Sequence, residues 1–364
     1  MGVKLKRFLA RRSGDDAAHT TVSDLRRNAI NAEADGQIRE AIAAWTAVNR
    51  LHPDPKVEEH LVQLRCNLAF SRPAGVAIEP WPRQLEDPFP DVFGQPPQID
   101  ADVLSMEVLG GAILHHGCLL VRGMLTPEHV SAIRTTIDRA FDGRSDHLQG
   151  VPASETTPWY VPCATWDERT PDKAHNSRRY SDAGRGAIHA CDSPRAMSQI
   201  AEALEAGRVL PVIAEYLGEQ PVLSANKTML RRVPPEAKPS WHQDGSFMGQ
   251  QTRTVNVWIA LSDCGDGREA PGIAIVPRRL ARSLRGEVDK GDIILTPDQF
   301  AEASEGISAI RPTFAPGDAL LFDELLAHAN GGGQPGLTRP RYAVEAWTFA
   351  PTALPTRYLP ISVG

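Results

Sequence analysis

The chain has 364 residues, 41% hydrophobic and 23% charged, with a formal net charge of -6. That is enough apolar material for a sizeable core, while the acidic balance excludes general attraction to nucleic acid or to an anionic membrane. No apolar run approaches the ~18 residues of a membrane span, and the five scattered cysteines lack any CxxC spacing, which argues against a disulfide framework or zinc knuckle and for a reducing cytoplasm.

Residues 1–19 form a basic stretch with no apolar core long enough for a secretory signal, and they are expected to be a disordered tail. Residues 20–70 read as helical. Within "GQIREAIAAWTAVNRLHPDP", Gly36, Ile38, Ala41, Trp45, Val48 and Pro53 match the spacing of the second half of a tetratricopeptide repeat. A single repeat cannot stack into a solenoid, so this segment is either a packing extension or a docking element for a protein partner. His52-Pro53-Asp54 falls at the end of its helix and reads as a stop signal. Residues 71–97 are proline-rich and aperiodic, a linker, and residues 98–364 form the main domain.

In that domain "CLLVRG" predicts a buried strand, and Thr126-Pro127 predicts a helix start, N-cap then N1. Residues from about 142 to 187 lack periodicity but hold Trp159, Tyr160 and Trp166. Such a segment is either a substrate lid or a surface loop. After Pro221 short strands dominate. "TVNVWIALSD" alternates Val255, Val257, Ile259 and Leu261 with Asn256, Trp258 and Ala260, followed by "GIAIVP", "GDALLF" and "RYAVEAWTFA". Helices first and strands later predict an α+β fold built around a jelly-roll-like double sheet, preceded by a small helical N-terminal region.

The strand region carries "WHQDG", with His242 and Asp244 two residues apart; in an extended strand both would aim at one point. His328 follows His242 by 86 residues, and Arg341 follows His328 by thirteen. Two histidines and one carboxylate form a facial triad suited to Fe(II), leaving coordination positions open for a 2-oxo acid and O2. An arginine can fork onto the distal carboxylate of that co-substrate, which lysine cannot reproduce. Zinc accepts the same ligands, so a His2Asp zinc hydrolase stays open as an alternative, as does a non-catalytic interaction protein.

Other basic and imidazole groups weigh less. His115-His116 reads as a strand-edge pair, and His175 and His189 lie in or near the irregular segment. Lys227 and Arg231, upstream of "WHQDG", could meet the 2-oxo acid or a substrate carboxylate.

The segments "ILHHGCLLVRGMLTPEHVSAIRTTIDRAF", "WHQDG", "VWIALSD", "APGDALLFDELLAH" and "RPRYAVEAWTF" together resemble the phytanoyl-CoA dioxygenase family, across most of residues 100–350. The resemblance implies a double-stranded β-helix, jelly-roll or cupin-like, with flanking helices. It implies a dioxygenase using Fe(II), 2-oxoglutarate and O2 to hydroxylate or otherwise oxidise a small-molecule C–H bond, releasing succinate and CO2. His242, Asp244 and His328 match the family's iron ligands, and Trp258 matches an aromatic often found beside 2-oxoglutarate. The family commonly places its 2-oxoglutarate arginine eleven residues past the distal histidine, which is Arg339 here; the strand pattern favours Arg341. "VPRRL" stands where relatives tend to read Pro-Gly-Ser-His, and Arg278 and Arg279 there are either an anion clamp or a solvated turn. Asp244 retains the carboxylate that halogenating relatives replace.

Overall fold

The computed structural model describes residues 21–71, 80–169, 186–249, 252–285, 293–356 and 358–363. The N-terminal basic stretch, His175 and parts of the linker and the irregular segment lie outside the described residues. The chain divides into two compact units, residues 1–57 and 58–364.

In the first unit, α1 (Val22–Ala34) and α2 (Ile38–Leu51) pack on each other around Ala29, Ala41 and Val48. Thr21 starts α1 with a capping box, accepting from the Asp24 N–H while Asp24 accepts from its own. Asp54 is held by the Asn49 side chain at 3.0 Å and Arg26 at 3.2 Å, so His52-Pro53-Asp54 is a helix end and not a ligand pair. In α3 (Pro55–Ser71), Val62 and Cys66 join the core of the second unit, and Arg65 donates to the Ser362 carbonyl.

The second unit contains α4 (Met106–His116), α5 (Pro127–Leu148), α6 (Pro194–Ala206) and α7 (Val209–Leu217). Its strands are β1 (Gln98–Asp100), β2 (Cys118–Arg122), β3 (Ala187–His189), β4 (Val222–Ser224), β5 (Met229–Val233), β6 (Thr254–Ala260), β7 (Ile273–Arg279), β8 (Ala319–Phe322), β9 (Leu326–Asn330), β10 (Arg341–Phe349) and β11 (Pro360–Ser362). Thr126 caps α5 and Pro127 is its first residue. Gly117 ends α4 at φ 80°, and any Cβ there would lie 2.5 Å from the Arg278 backbone, so the turn from α4 into β2 requires glycine.

The large sheet runs β1-β2-β8-β6-β10, with β4 and β5 both on the far side of β10, β11 on β4 and β3 on β5. A second sheet, β7–β9, is extended by a bridge between His242 and His328. Strand alternation decides which core each side chain joins. Val255, Val257, Ile259, Val344 and Ala346 face outward and bury against Ile133, Ile137, Ile200 and Ile213 of the helices. Trp258, Ala260, Ala343, Trp347 and Phe349 face inward, with Ile273, Ile275 and Leu326 of the second sheet. Each large apolar side chain so buried contributes about 1.5–3 kcal/mol. Two sheets sharing an inner core, with helices packed on one outer face, make the α+β double-stranded β-helix.

The irregular segment differs from expectation. α5 continues to Leu148, and short helices follow at Ala153–Thr156 and Ala164–Arg169. Tyr160 and Trp166 are buried in the helical core, so they cannot line a lid. Trp159 sits between the guanidiniums of Arg139 and Arg195, each 5.1 Å from its ring centre. Aromatic residues there serve packing and cation–π contacts. His115 and His116 end a helix instead of edging a strand, bonded to the Leu85 carbonyl and to Asp87. Among the described residues, no helix is long and apolar enough to cross a membrane.

Candidate metal and co-substrate site

His242 and His328 exchange both backbone hydrogen bonds at 3.0 Å, which brings their rings to a centroid separation of 4.3 Å. Each Nδ1 faces a carbonyl: Ser240 at 2.8 Å for His242, Leu326 at 3.1 Å for His328. A carbonyl only accepts, so Nδ1 carries the proton and the Nε2 lone pair of each ring is free to ligate. Burial first, then the neighbouring His328, push the His242 pKa down to about 4, so its imidazole is neutral at ordinary pH.

Asp244 supplies the third donor. Its Oδ1 lies 3.6 Å from His242 Nε2 and its Oδ2 3.8 Å from His328 Nε2. These distances are too long for hydrogen bonds and leave room for an ion between the groups. The three ligand atoms lie within 4.8 Å of one another, and among the described residues this is the one such grouping of His, Cys, Asp and Glu. The pair does not lie on one continuous strand, as the sequence pattern suggested. His242 is a strand bridge, whereas Asp244 is αR (φ −67°, ψ −22°) and begins the short helix Gly245–Met248. The turn between them is stapled by Gln243, which is fully buried. Its amide donates to the Leu325 carbonyl at 2.7 Å and the Arg282 carbonyl at 3.2 Å, and its carbonyl accepts from Leu284 N–H at 2.8 Å.

Arg341 opens β10 facing inward, fully buried. Its Nη1 donates to the Gly272 carbonyl at 2.6 Å, its guanidinium carbon lies 5.4 Å from the Trp258 ring centre, and its Nε has no partner. Burial first, then the charge of Arg231, lower its pKa to about 10, so it stays cationic at neutral pH. Trp258 is itself buried against Phe314. Arg339 is exposed and ion-paired with Glu269 at 3.0 Å. Lys227 places its Nζ 3.5 Å from the Phe247 ring centre, and that ring stacks 6.5 Å from His242. Arg279 makes a buried ion pair with Asp323 at 2.6 Å and is not solvated, whereas Arg278 donates to the Glu305 carbonyl in an exposed bond. His189 is buried edge-on against Trp166.

Sequence reasoning missed Phe322, whose ring lies 5.1 Å from His328, and Glu345, which pairs with Arg231 at 3.0 Å. Strand parity could have found Glu345, because it lies four residues along β10 from Arg341 and shares its face. Asn256 shares the inward face of Trp258, and its Oδ1 is buried without a partner.

A family model described as phytanoyl-CoA dioxygenase matches residues 113–334, more than half of the chain. A search of curated proteins finds no match. Among solved structures, the chain is similar to EctD from S. alaskensis, crystallised with 2-oxoglutarate and 5-hydroxyectoine (16% identity, 65% of this chain and 73% of that chain, TM-score 0.46). It is similar to AviO1 from Streptomyces viridochromogenes Tue57 (17% identity, 67% and 94%, TM-score 0.42). It is also similar to SnoK, a non-heme alpha-ketoglutarate-dependent carbocyclase from nogalamycin biosynthesis (14% identity, 69% and 86%, TM-score 0.45).

Proposed function

The chain belongs to the phytanoyl-CoA dioxygenase family, and from that premise we propose that His242, Asp244 and His328 hold ferrous iron while Arg341 anchors 2-oxoglutarate. The enzyme is an Fe(II)- and 2-oxoglutarate-dependent dioxygenase acting on a small molecule. The observation that carries the site assignment is the donor set: two imidazoles with Nε2 free and one carboxylate, their ligand atoms within 4.8 Å. A buried guanidinium with an unpartnered Nε, beside Trp258, fits the distal carboxylate of the co-substrate.

Bound iron and 2-oxoglutarate couple reduction of O2 to oxidation of a substrate C–H bond, with succinate and CO2 released. The protein's part is placement and exclusion. The Ser240 and Leu326 carbonyls fix the imidazole tautomers and ring directions. Asp244 adds one negative charge to the donor set, and Gln243 holds the turn that aims it. Arg341 fixes one end of the co-substrate by charge and direction. Trp258, Phe322 and Trp347 form an apolar wall that keeps water from the reacting groups. A zinc hydrolase would have no use for the buried Arg341, and the family premise does not favour it. Five free, buried thiols support a reducing, cytoplasmic setting.

Anaerobic addition of Fe(II) and 2-oxoglutarate should produce the visible charge-transfer band of the chelate. The band should be lost in His242→Ala and Asp244→Ala. If wild type gives no band, and zinc alone supports a hydrolytic activity, the proposal fails.

A further inference from the structure

The inner face of β10 carries Arg341, Ala343 and Glu345 in succession. Arg231 on β5 is the register partner of Ala343, and Glu345 pairs in register with Met229 on one side and Trp258 on the other. Arg231 and Glu345 meet diagonally, Nε to Oε1 at 3.0 Å. Both strands are flanked on each side, β5 by β3 and β10, β10 by β5 and β6. Even so, each of the two side chains is 23% exposed. Both are inward residues on interior strands, so they stay partly accessible on the inner face of the sheet. The His242 and His328 side chains are likewise partly accessible, at 19% and 11%. Glu345 is close enough for its charge to act on both His242 and Arg341. The ion pair therefore lies on the inner face of the sheet, one register step from Arg341 and beside Trp258.

Two properties of this pair point to a ligand. A guanidinium has five N–H donors and a carboxylate about four acceptor sites, so one shared contact leaves most of both unused. Held together, they present donors and acceptors side by side. The pair is also neutral as a unit, so Glu345 cancels the charge of Arg231 and leaves no surplus attraction for a purely anionic substrate there. A group with its own adjacent cation and anion matches both halves.

We infer that Arg231 and Glu345 are the specificity-determining residues for the prime substrate, which carries a zwitterionic group of the α-amino-acid kind, its ammonium on Glu345 and its carboxylate on Arg231. This rests on the iron and 2-oxoglutarate reading above and adds the substrate class.

The test uses the full chain loaded anaerobically with Fe(II) and 2-oxoglutarate. Free α-amino acids, their methyl esters and their N-acetyl derivatives are titrated as probes, reading the shift of the chelate band and then succinate release on adding O2. At least one free amino acid should shift the band. Its ester and N-acetyl forms should bind about tenfold or more weakly, since each leaves one charged group of the pair unmatched. Glu345→Gln should weaken the amino acid by about tenfold, raising KM more than it lowers kcat, with the affinity for 2-oxoglutarate within about twofold of wild type. If Glu345→Gln does not fold, the double variant Arg231→Met/Glu345→Met, which leaves no lone charge, should lose the discrimination between the three probe sets. The inference is overturned if the band forms but no free amino acid shifts it, if singly charged probes shift it equally, or if the variants lose 2-oxoglutarate as strongly as the amino acid. Absence of the band in wild type would overturn the iron and co-substrate reading, and this inference with it.

Discussion

His242 and His328, 86 positions apart in sequence, are backbone partners: each N–H donates to the other's carbonyl at 3.0 Å. The bridge is the physical origin of the site. It brings the rings together within the protein itself, and the Ser240 and Leu326 carbonyls select the tautomer that leaves Nε2 free. A pre-formed donor set binds without the entropy of assembling it.

Metal addition should therefore stabilise the fold. A divalent ion at a hundred times its dissociation constant adds about 2.7 kcal/mol to the folded state. Thermal melts with and without Mn(II) should show a rise in Tm for wild type and none for His328→Ala or Asp244→Ala. An equal rise in the variants would place the ion elsewhere.

Arg341 and Arg339 should behave oppositely. A hydrogen bond to a charged group contributes about 1.5–3 kcal/mol, so Arg341→Lys, which loses the fork, should raise the 2-oxoglutarate Kd by roughly tenfold or more. Arg339→Ala removes an exposed pair to Glu269 and should leave that Kd unchanged. Titration of the chelate band measures both.

Gln243 ligates nothing in the proposed site, yet its loss should be felt in stability and in metal affinity together. Gln243→Ala would leave the Arg282 and Leu325 carbonyls and the Leu284 N–H without their side-chain partner. Each unsatisfied buried group costs about 1–3 kcal/mol, and partial relaxation should bring the total to about 2–4 kcal/mol. Denaturant unfolding of the metal-free protein reads the first effect, and Mn(II) titration the second.

Trp166 and Trp159 separate packing from surface. Trp166→Ala should destabilise by about 3–5 kcal/mol, because it empties a core position. Trp159→Ala, which loses contacts with Arg139 and Arg195 at the surface, should cost about 1–2 kcal/mol. Neither should change substrate selectivity at temperatures where both are folded, measured as relative kcat/KM across the probe panel.

The sequence by itself determined residue types and strand faces. Period-two alternation assigned Val257 to one side of β6 and Trp258 to the other, and the two sides are two different cores. The order His, Asp, His could also be read along the chain, and the fold brings those three side chains together. Local pattern ended where neighbours across space take over. It put Asp244 on a strand, whereas a helix start packed under the Glu324 carbonyl turns its carboxylate toward the histidines. It put Trp166 in a loop, because burial by α5 and its neighbours leaves no periodic trace in an aperiodic segment. It could not pair Arg231 with Glu345, separated by 114 positions, since parity states which face a residue takes and not which strand lies beside it. That choice belongs to sheet register, and register is an outcome of packing the whole domain.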